Sequence, residues 1–329
     1  MLRIFFTAQD IARTRLAPAP DPLWEIVLSL QMLRGQRGDL LFSQWRRETA
    51  RTLRRAELGP RLELLLALAP ELGYFPDFIT PDDSLRGMEY GLEAIRSAPN
   101  ETMRHELALL EHSQLLRTGK RLPAGATRLA RGEPAAVTEL TQTMREYYEL
   151  AIQPHQRGIE AAVQADRNLR LDAFAQAGIE GLLASLRPMM TWNAGELQVH
   201  GHRDQEIHLD GRGLLIIPSY FCVNHPMTMF DPTLPPVLIY PVSRSPANLP
   251  HGQRVALAGL IGQTRAAMLE AIAGGCTTSE LARRVGVSAA SASEHAAILR
   301  SARLITSHRD RNRMVHHVTR LGHALLNGL

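Results

Sequence analysis

The feature that most constrains this chain lies in its last quarter, where Thr277-Thr278-Ser279-Glu280 has capping-box spacing. A hydroxyl at an N-cap and a carboxylate three residues later satisfy each other's backbone amides, so a helix starts there. The pattern that follows puts Leu281 and Val285 inward and then meets Gly286-Val287-Ser288. Glycine suits a left-handed residue just past a helix, and serine suits a second N-cap. The next helix is expected over Ala289–Ala302, with Ala292, Ala296 and Leu299 inward. Upstream, Thr264–Ala273 reads as a helix with Met268, Leu269 and Ile272 on one side, stopped by Gly274-Gly275. Downstream, Leu304-Ile305 and Met314–Val318 alternate as two strands around the basic tip Arg309-Asp310-Arg311-Asn312-Arg313, and Leu321–Leu329 reads as a short amphipathic helix.

Two short helices joined by such a turn present the second as a rod able to enter a major groove. Small residues at its start, Ala289, Ala290, Ser291 and Ser293, allow close approach, and its first amides can receive a phosphate. The arginines of the tip can reach backbone phosphates or a minor groove. Charge agrees with this reading. From His251 to the end there are ten arginines against three glutamates and one aspartate, a net +6, whereas the preceding 250 residues carry a net −2. A local positive field suits a polyanion, and double-stranded DNA is the expected partner. The candidate contact residues are Thr278, Ser288, Ala289, Ala290, Ser291, Ser293, Glu294, Ala297, Arg300, Arg309, Arg311 and Arg313. Glu294 is suited to accept from a cytosine amino group. Arg283 and Arg284 are phosphate contacts or merely a solvated face, and His295 reads as a packed helix residue.

Residues 275–319 resemble the winged helix-turn-helix of ArsR/SmtB-type bacterial transcription regulators. That family commonly reads Ser-x-His-Leu-x-x-Leu followed by Ala-Gly-Leu-Val. The matching positions here are Ser293, His295, Ala296, Leu299, Ala302, Arg303, Leu304 and Ile305, so Ala296 replaces the usual leucine and Arg303 the usual glycine. The likeness covers about a quarter of the chain strongly. The larger part resembles, more loosely, N-terminal regions attached to such modules in actinobacterial regulators. The resemblance implies a symmetric homodimer on operator DNA, with an effector that changes the affinity. The family's metalloid sites place a Cys-x-Cys pair in the helix corresponding to Thr277–Val285, which has no cysteine here, and Cys276 stands alone.

A length of 329 residues is about two ordinary domains, and 45% apolar with 21% charged residues is typical of a globular chain. No apolar run is long enough to span a membrane, the first block is broken by Gln9, Asp10 and Arg13, and there are two cysteines; a cytoplasmic chain with no membrane partner is expected. The first 190 residues read mostly as helices. Asp21-Pro22 opens one that carries Leu23, Ile26, Val27, Leu30 and Leu33, with Gly35 and Gly38 as its stop. Pro60 opens another, ending near Gly73, and Tyr74–Pro81 is a connector. Further apolar stripes are Leu85, Met88, Leu92 and Ile95; Met103, Leu107, Leu110 and Leu116; and Val137, Leu140, Met144, Tyr147 and Tyr148, ended by Pro154. Arg121–Glu133 is expected as a loop, and Ile159–Leu186 as one or two helices. Beyond Trp192 the segments Glu196–His200, Glu206–Leu209, Leu214–Ile217 and Val237–Tyr240 read as strands of a small antiparallel sheet, with Asp210-Gly211 as a hairpin turn and Ser243–Gly252 as a linker.

The expected fold class is therefore α+β, mainly α. It comprises a helical sensor or interaction region at 1–190, a small antiparallel β region and linker at 191–250, and a winged helix-turn-helix at 251–329. The expected function is a dimeric repressor controlled through the N-terminal region by a small molecule or partner. The aromatic group Trp24, Trp45, Trp192 and Tyr147-Tyr148 is either core or the lining of an effector pocket. No catalytic motif and no resident cofactor is read from the chain. The alternative is a metal-binding regulator, or an enzyme with a regulatory DNA-binding tail. Its candidate ligands are His200, His202 and His208, with Asp204, Cys222 and His225 nearby. Glu101, His105 and His112 share a helix face but read as solvated.

Overall fold

Leu2 and Ile4 are buried and Arg3 and Phe5 partly exposed, and this alternation makes Leu2–Phe5 a strand, β1. Thr7 then caps helix α1 (Ala8–Arg13): its hydroxyl accepts from Asp10 N at 3.2 Å, and Asp10 accepts from Thr7 N at 2.8 Å. Asp10 also accepts from Gly213 N at 2.9 Å, fastening the chain start to a distant loop. Gly213 is required there, because φ is +74° and a Cβ would lie 2.7 Å from Arg13 Cβ. The structure is a computed structural model that describes residues 1–34, 39–187, 189–200, 202, 204–223, 225–243, 259–272, 276–310 and 313–327.

The architecture is mainly α with small sheets. After β2 (Arg15–Leu16) come α2 (Pro22–Arg34), α3 (Asp39–Arg55), α4 (Gly59–Leu68), α5 (Met88–Arg96), α6 (Asn100–Thr118), α7 (Ala124–Ala130), α8 (Pro134–Ala151) and α9 (Gln156–Ser185). As expected, Asp21 caps α2, accepting from Leu23 N at 2.9 Å and Trp24 N at 3.0 Å. Every residue from Leu23 to Met32 is buried, Glu25 among them, so α2 runs through the interior rather than along it. Gly35 and Gly38 lie outside the described residues.

Several expectations need correction. Arg121–Glu133 is not a loop throughout, since Ala126 and Leu129, buried at i, i+3 spacing, support the two turns of α7, and Gly132 ends it at φ +70°. α4 stops at Leu68, well before Gly73. Leu116 is 75% exposed rather than inward, while Met103, Leu107 and Leu110 are buried. Ile159–Leu186, expected as one or two helices, is two: the helix breaks at Gly178, where φ 62° and ψ −155° are open to glycine but not to an L side chain.

The strands are β3 (Met190–Asn193), β4 (Glu196–Val199), β5 (Gln205–His208), β6 (Leu215–Ser219) and β7 (Val237–Pro241). They do not form one antiparallel sheet. β1 inserts between β4 and β5, antiparallel to the first and parallel to the second, giving the order β3-β4-β1-β5. β2 joins β6 and β7 in a second, wholly parallel sheet, whose β7 is buried along its whole length. Continuous burial of this kind is the mark of a parallel sheet covered on both faces. Asp210 and Gly211 do form a tight turn, with φ 51° and 82° and Arg212 N donating to Leu209 O at 3.0 Å. The strands it joins lie in different sheets, so it is a corner and not a hairpin.

By internal packing the chain divides into Met1–Arg37 with Trp45–Ser243, and Gly38–Gln44 with Arg244–Leu329. Apart from the start of α3, the helical part and the β segment after Trp192 thus belong to one unit, stitched by β1 and β2. Two buried carboxylates hold it. Glu25 accepts from Tyr220 N at 2.7 Å and Phe221 N at 3.0 Å, at the end of β6. Asp166 pairs with Arg170 at 2.8 Å and accepts from Tyr240 Oη at 2.5 Å and Ser243 N at 2.8 Å. Among the described residues no helix is long and apolar enough to cross a membrane. Both cysteines are buried. Most of the expected linker, from residue 244 on, lies outside the described residues.

Candidate nucleic-acid interface

The second unit contains α10 (Gln263–Ile272), β8 (Cys276–Thr277), α11 (Thr278–Val285), α12 (Ala289–Ser301), β9 (Ile305–Asp310), β10 (Arg313–Val318) and α13 (Arg320–Asn327). The capping box forms: Thr277 Oγ1 accepts from Glu280 N at 3.3 Å, and Glu280 Oε2 accepts from Thr277 N at 2.9 Å. Those bonds hold the Glu280 carboxyl below the usual carboxylate range. Gly286 ends α11 at φ 74°, with Val287 N donating back to Ala282 O at 3.0 Å. Ser288 then accepts from Ser291 N at 3.1 Å and opens α12.

α12 ends in the same way, but without a glycine. Leu304 N donates to Leu299 O at 2.9 Å and Arg303 N to Arg300 O at 2.9 Å, the two bonds of a Schellman ending. The left-handed residue is Arg303, at φ 57°. A substituted side chain at the position where glycine is usual has therefore not changed the turn. Met268, Leu269, Ile272, Leu281, Ala292, Ala296, Leu299, Leu304 and Ile305 form one buried core beneath these elements. Three strands cover it in the order β8-β10-β9, with Val315 opposite Thr277 and His316 opposite Cys276. β8 was not foreseen from the sequence. Burial raises the Cys276 thiol above its ordinary value, as befits a packed side chain.

With Ala292, Ala296 and Leu299 turned inward, α12 carries Ser288, Ala289, Ala290, Ser293, Glu294 and Arg300 on its exposed side; Ser291 and Ala297 are half-buried. Arg309 is exposed on β9, directly opposite Met314 of β10. Arg309 and Arg313 therefore belong to the strands, and the connection between them is only residues 311–312. Arg311 lies outside the described residues, and so does the side chain of Arg313. The surface thus combines a helix with small side chains at its start and a neighbouring strand pair bearing arginine. Arg283 and Arg284 are exposed on α11, with Arg284 donating to Ala271 O at 3.1 Å.

Thr278 differs from the other candidates. Its hydroxyl lies 2.9 Å from His316 Nε2, while His316 Nδ1 lies 2.8 Å from Ser307 Oγ, so this imidazole joins α11 to β9. Burial, with Arg300 and His317 nearby, lowers the His316 pKa. His317 stacks on His308 with ring centroids 5.1 Å apart. The His295 Nδ1 is buried with no hydrogen-bond partner among the described residues.

The remaining candidates do not converge. His200 Nε2 bonds Thr191 Oγ1 at 2.8 Å, and His208 stacks on Phe5 at 4.7 Å; β1 separates their strands. The thiol of Cys222 donates to His225 O at 3.3 Å. Among the described residues, His202 included, no three His, Cys, Asp or Glu side chains gather as for a metal ion. Trp24, Trp45, Trp192 and Tyr147 are buried at separate places, against Phe75, Phe221, Phe6 and Ser29 respectively, so they are core and not the walls of one pocket. No family model, curated protein or solved structure matches the chain.

Proposed function

We propose that the chain is a sequence-specific DNA-binding transcriptional regulator of ArsR/SmtB type, with residues 276–318 acting as a winged helix-turn-helix. In this reading α12 lies in the major groove, and Ala289, Ala290, Ser293 and Glu294 face base edges. Arg309, Arg311, Arg313 and Arg300 meet the flanking phosphates. The observation that carries the reading is the exposed start of α12, free of bulky side chains and beside an arginine-bearing strand pair, in a segment of net +6. The functional unit is a homodimer acting as a repressor in the cytoplasm. Its two α12 helices would lie about 34–36 Å apart on an inverted repeat. The first unit receives a small-molecule effector or partner that alters DNA affinity.

Selection of genomic duplexes by the purified chain, followed by footprinting, tests this. The expected result is a protected inverted repeat whose affinity falls steeply with salt, as phosphate neutralisation releases counterions. Failure to retain any genomic duplex at low salt would overturn the proposal.

A further inference from the structure

A cleft of about 560 Å³ opens in the first unit, and its lining includes Tyr74, Asp77, Glu101, His105, Glu106 and Phe230. That is a volume typical of small-molecule sites. Tyr74 and Phe230 form an aromatic wall, edge to face with ring centroids 4.8 Å apart. Asp77 pins that wall by accepting from Phe230 N at 3.0 Å and Asp231 N at 2.8 Å. Glu106 lines the interior and is only 8% exposed; its Oε2 accepts from Phe78 N at 2.9 Å. Glu101 and His105 stand one helical turn apart on the exposed side of α6. Among the described residues no lysine or arginine lines the cleft.

The carboxyl groups of Asp77, Glu101, Glu106 and Asp231 in the lining give the cleft an acidic character, and aromatic faces add attraction for a cation. We propose that this cleft binds an organic ammonium ion, a primary amine on an apolar body. Its ammonium group pairs with Glu106, and its body lies against Tyr74 and Phe230. The inference concerns the first unit alone and goes beyond DNA binding. The groups facing Glu106 are Tyr74 and Asp77 from the connector before it, Asp231 from the loop before β7, and Glu101 and His105 from its own helix. Burial pushes the Glu106 carboxyl up to about 7, so Glu106 itself is only partly ionised at neutral pH. A bound cation favours the carboxylate form, whereas alkylamines remain protonated up to about pH 10.

Calorimetry on the full chain with phenethylamine, 2-phenylethanol and magnesium chloride tests this without DNA. Phenethylamine should bind saturably at one site, at least about tenfold more tightly than the alcohol, and about tenfold more tightly at pH 8 than at pH 6. Glu106→Gln should remove at least about tenfold in affinity together with the pH dependence. His112→Gln, exposed on α6 and outside the cleft lining, serves as the control and should keep both. Phe230→Ala, at a partly exposed side chain, should weaken binding even if Glu106→Gln fails to fold. No saturable binding up to about 10 mM amine, equal binding of the alcohol, or undiminished binding by Glu106→Gln or Phe230→Ala would overturn the proposal. So would displacement of the amine by equimolar magnesium, which would mark a metal-ion site instead.

Discussion

The imidazole of His316 spans two elements, with Nε2 2.9 Å from Thr278 Oγ1 and Nδ1 2.8 Å from Ser307 Oγ. A neutral ring needs one donor and one acceptor, and a pair of hydroxyls can supply both. The first residue of α11 and strand β9 are thereby tied through a single side chain on β10.

Replacing His316 with Ala should lower the stability of the second unit by about 1–3 kcal/mol, since two half-buried hydroxyls lose their partner. Amide hydrogen exchange in 276–318 reads this directly. Because the folded imidazole titrates below its ordinary value of 6.5, its contribution is present above pH 6.5 and is lost as pH falls below that value. The unit should therefore loosen on acidification, and the Ala variant should lose part of that response. An unchanged acid response in the variant would assign it to another group.

Arg303 and Gly322 predict opposite signs. Arg303 holds a left-handed conformation, φ 57°, that costs an L residue about 1–2 kcal/mol, so Arg303→Gly should raise stability by about 0.5–1 kcal/mol after the loss of backbone entropy. At Gly322 a Cβ would stand 2.0 Å from Leu304 O, so Gly322→Ala should destabilise by about 1–3 kcal/mol or more. Chemical denaturation midpoints distinguish the two.

On DNA, Arg309→Ala should weaken binding similarly for all sequences and reduce the salt slope by about 1. Glu294→Ala should instead shift base preference at one position by about 1–3 kcal/mol. Binding to duplex libraries at two salt concentrations separates these behaviours. If both variants changed only overall affinity, Glu294 would not be a base-reading residue.

Glu106 ties stability to pH in the first unit. Its carboxyl is raised from 4.5 to about 7, so the folded state binds the extra proton and stability should fall as pH rises through that interval. Glu106→Gln should flatten this part of the profile of melting temperature against pH. A variant that keeps the wild-type slope would place the titrating group elsewhere, with Asp21, raised to about 6 by burial, the next to examine.

Removing Asp166 should be severe. Asp166→Ala leaves the buried Arg170 without its carboxylate and Tyr240 without its acceptor, at a cost of about 3–5 kcal/mol. Replacing Arg170 and Asp166 together by apolar residues should cost less than Asp166→Ala alone. Urea denaturation of the full chain checks the ordering.

What the residues determine locally, they determine well. Thr277 and Glu280, Gly286, Ser288 and Asp21 each act within a few positions along the chain, and the helices of the second unit begin and end where those residues place them. The buried stripes Met268–Leu269–Ile272 and Ala292–Ala296–Leu299 follow from the 3.6-residue period alone. Asp210-Gly211 forms its tight turn for the same reason, since the positive φ angles are intrinsic to such residues. Only the tertiary structure decided which strands that turn would join. Pairing of β1 with β4 and β5, and of β2 with β6, connects residues 2–16 to residues 196–216, and no local pattern encodes a partner so far along the chain. The Glu106 cleft and the His316 tie are decided the same way, because a side chain's burial and its bonding partners depend on which distant backbone packs over it.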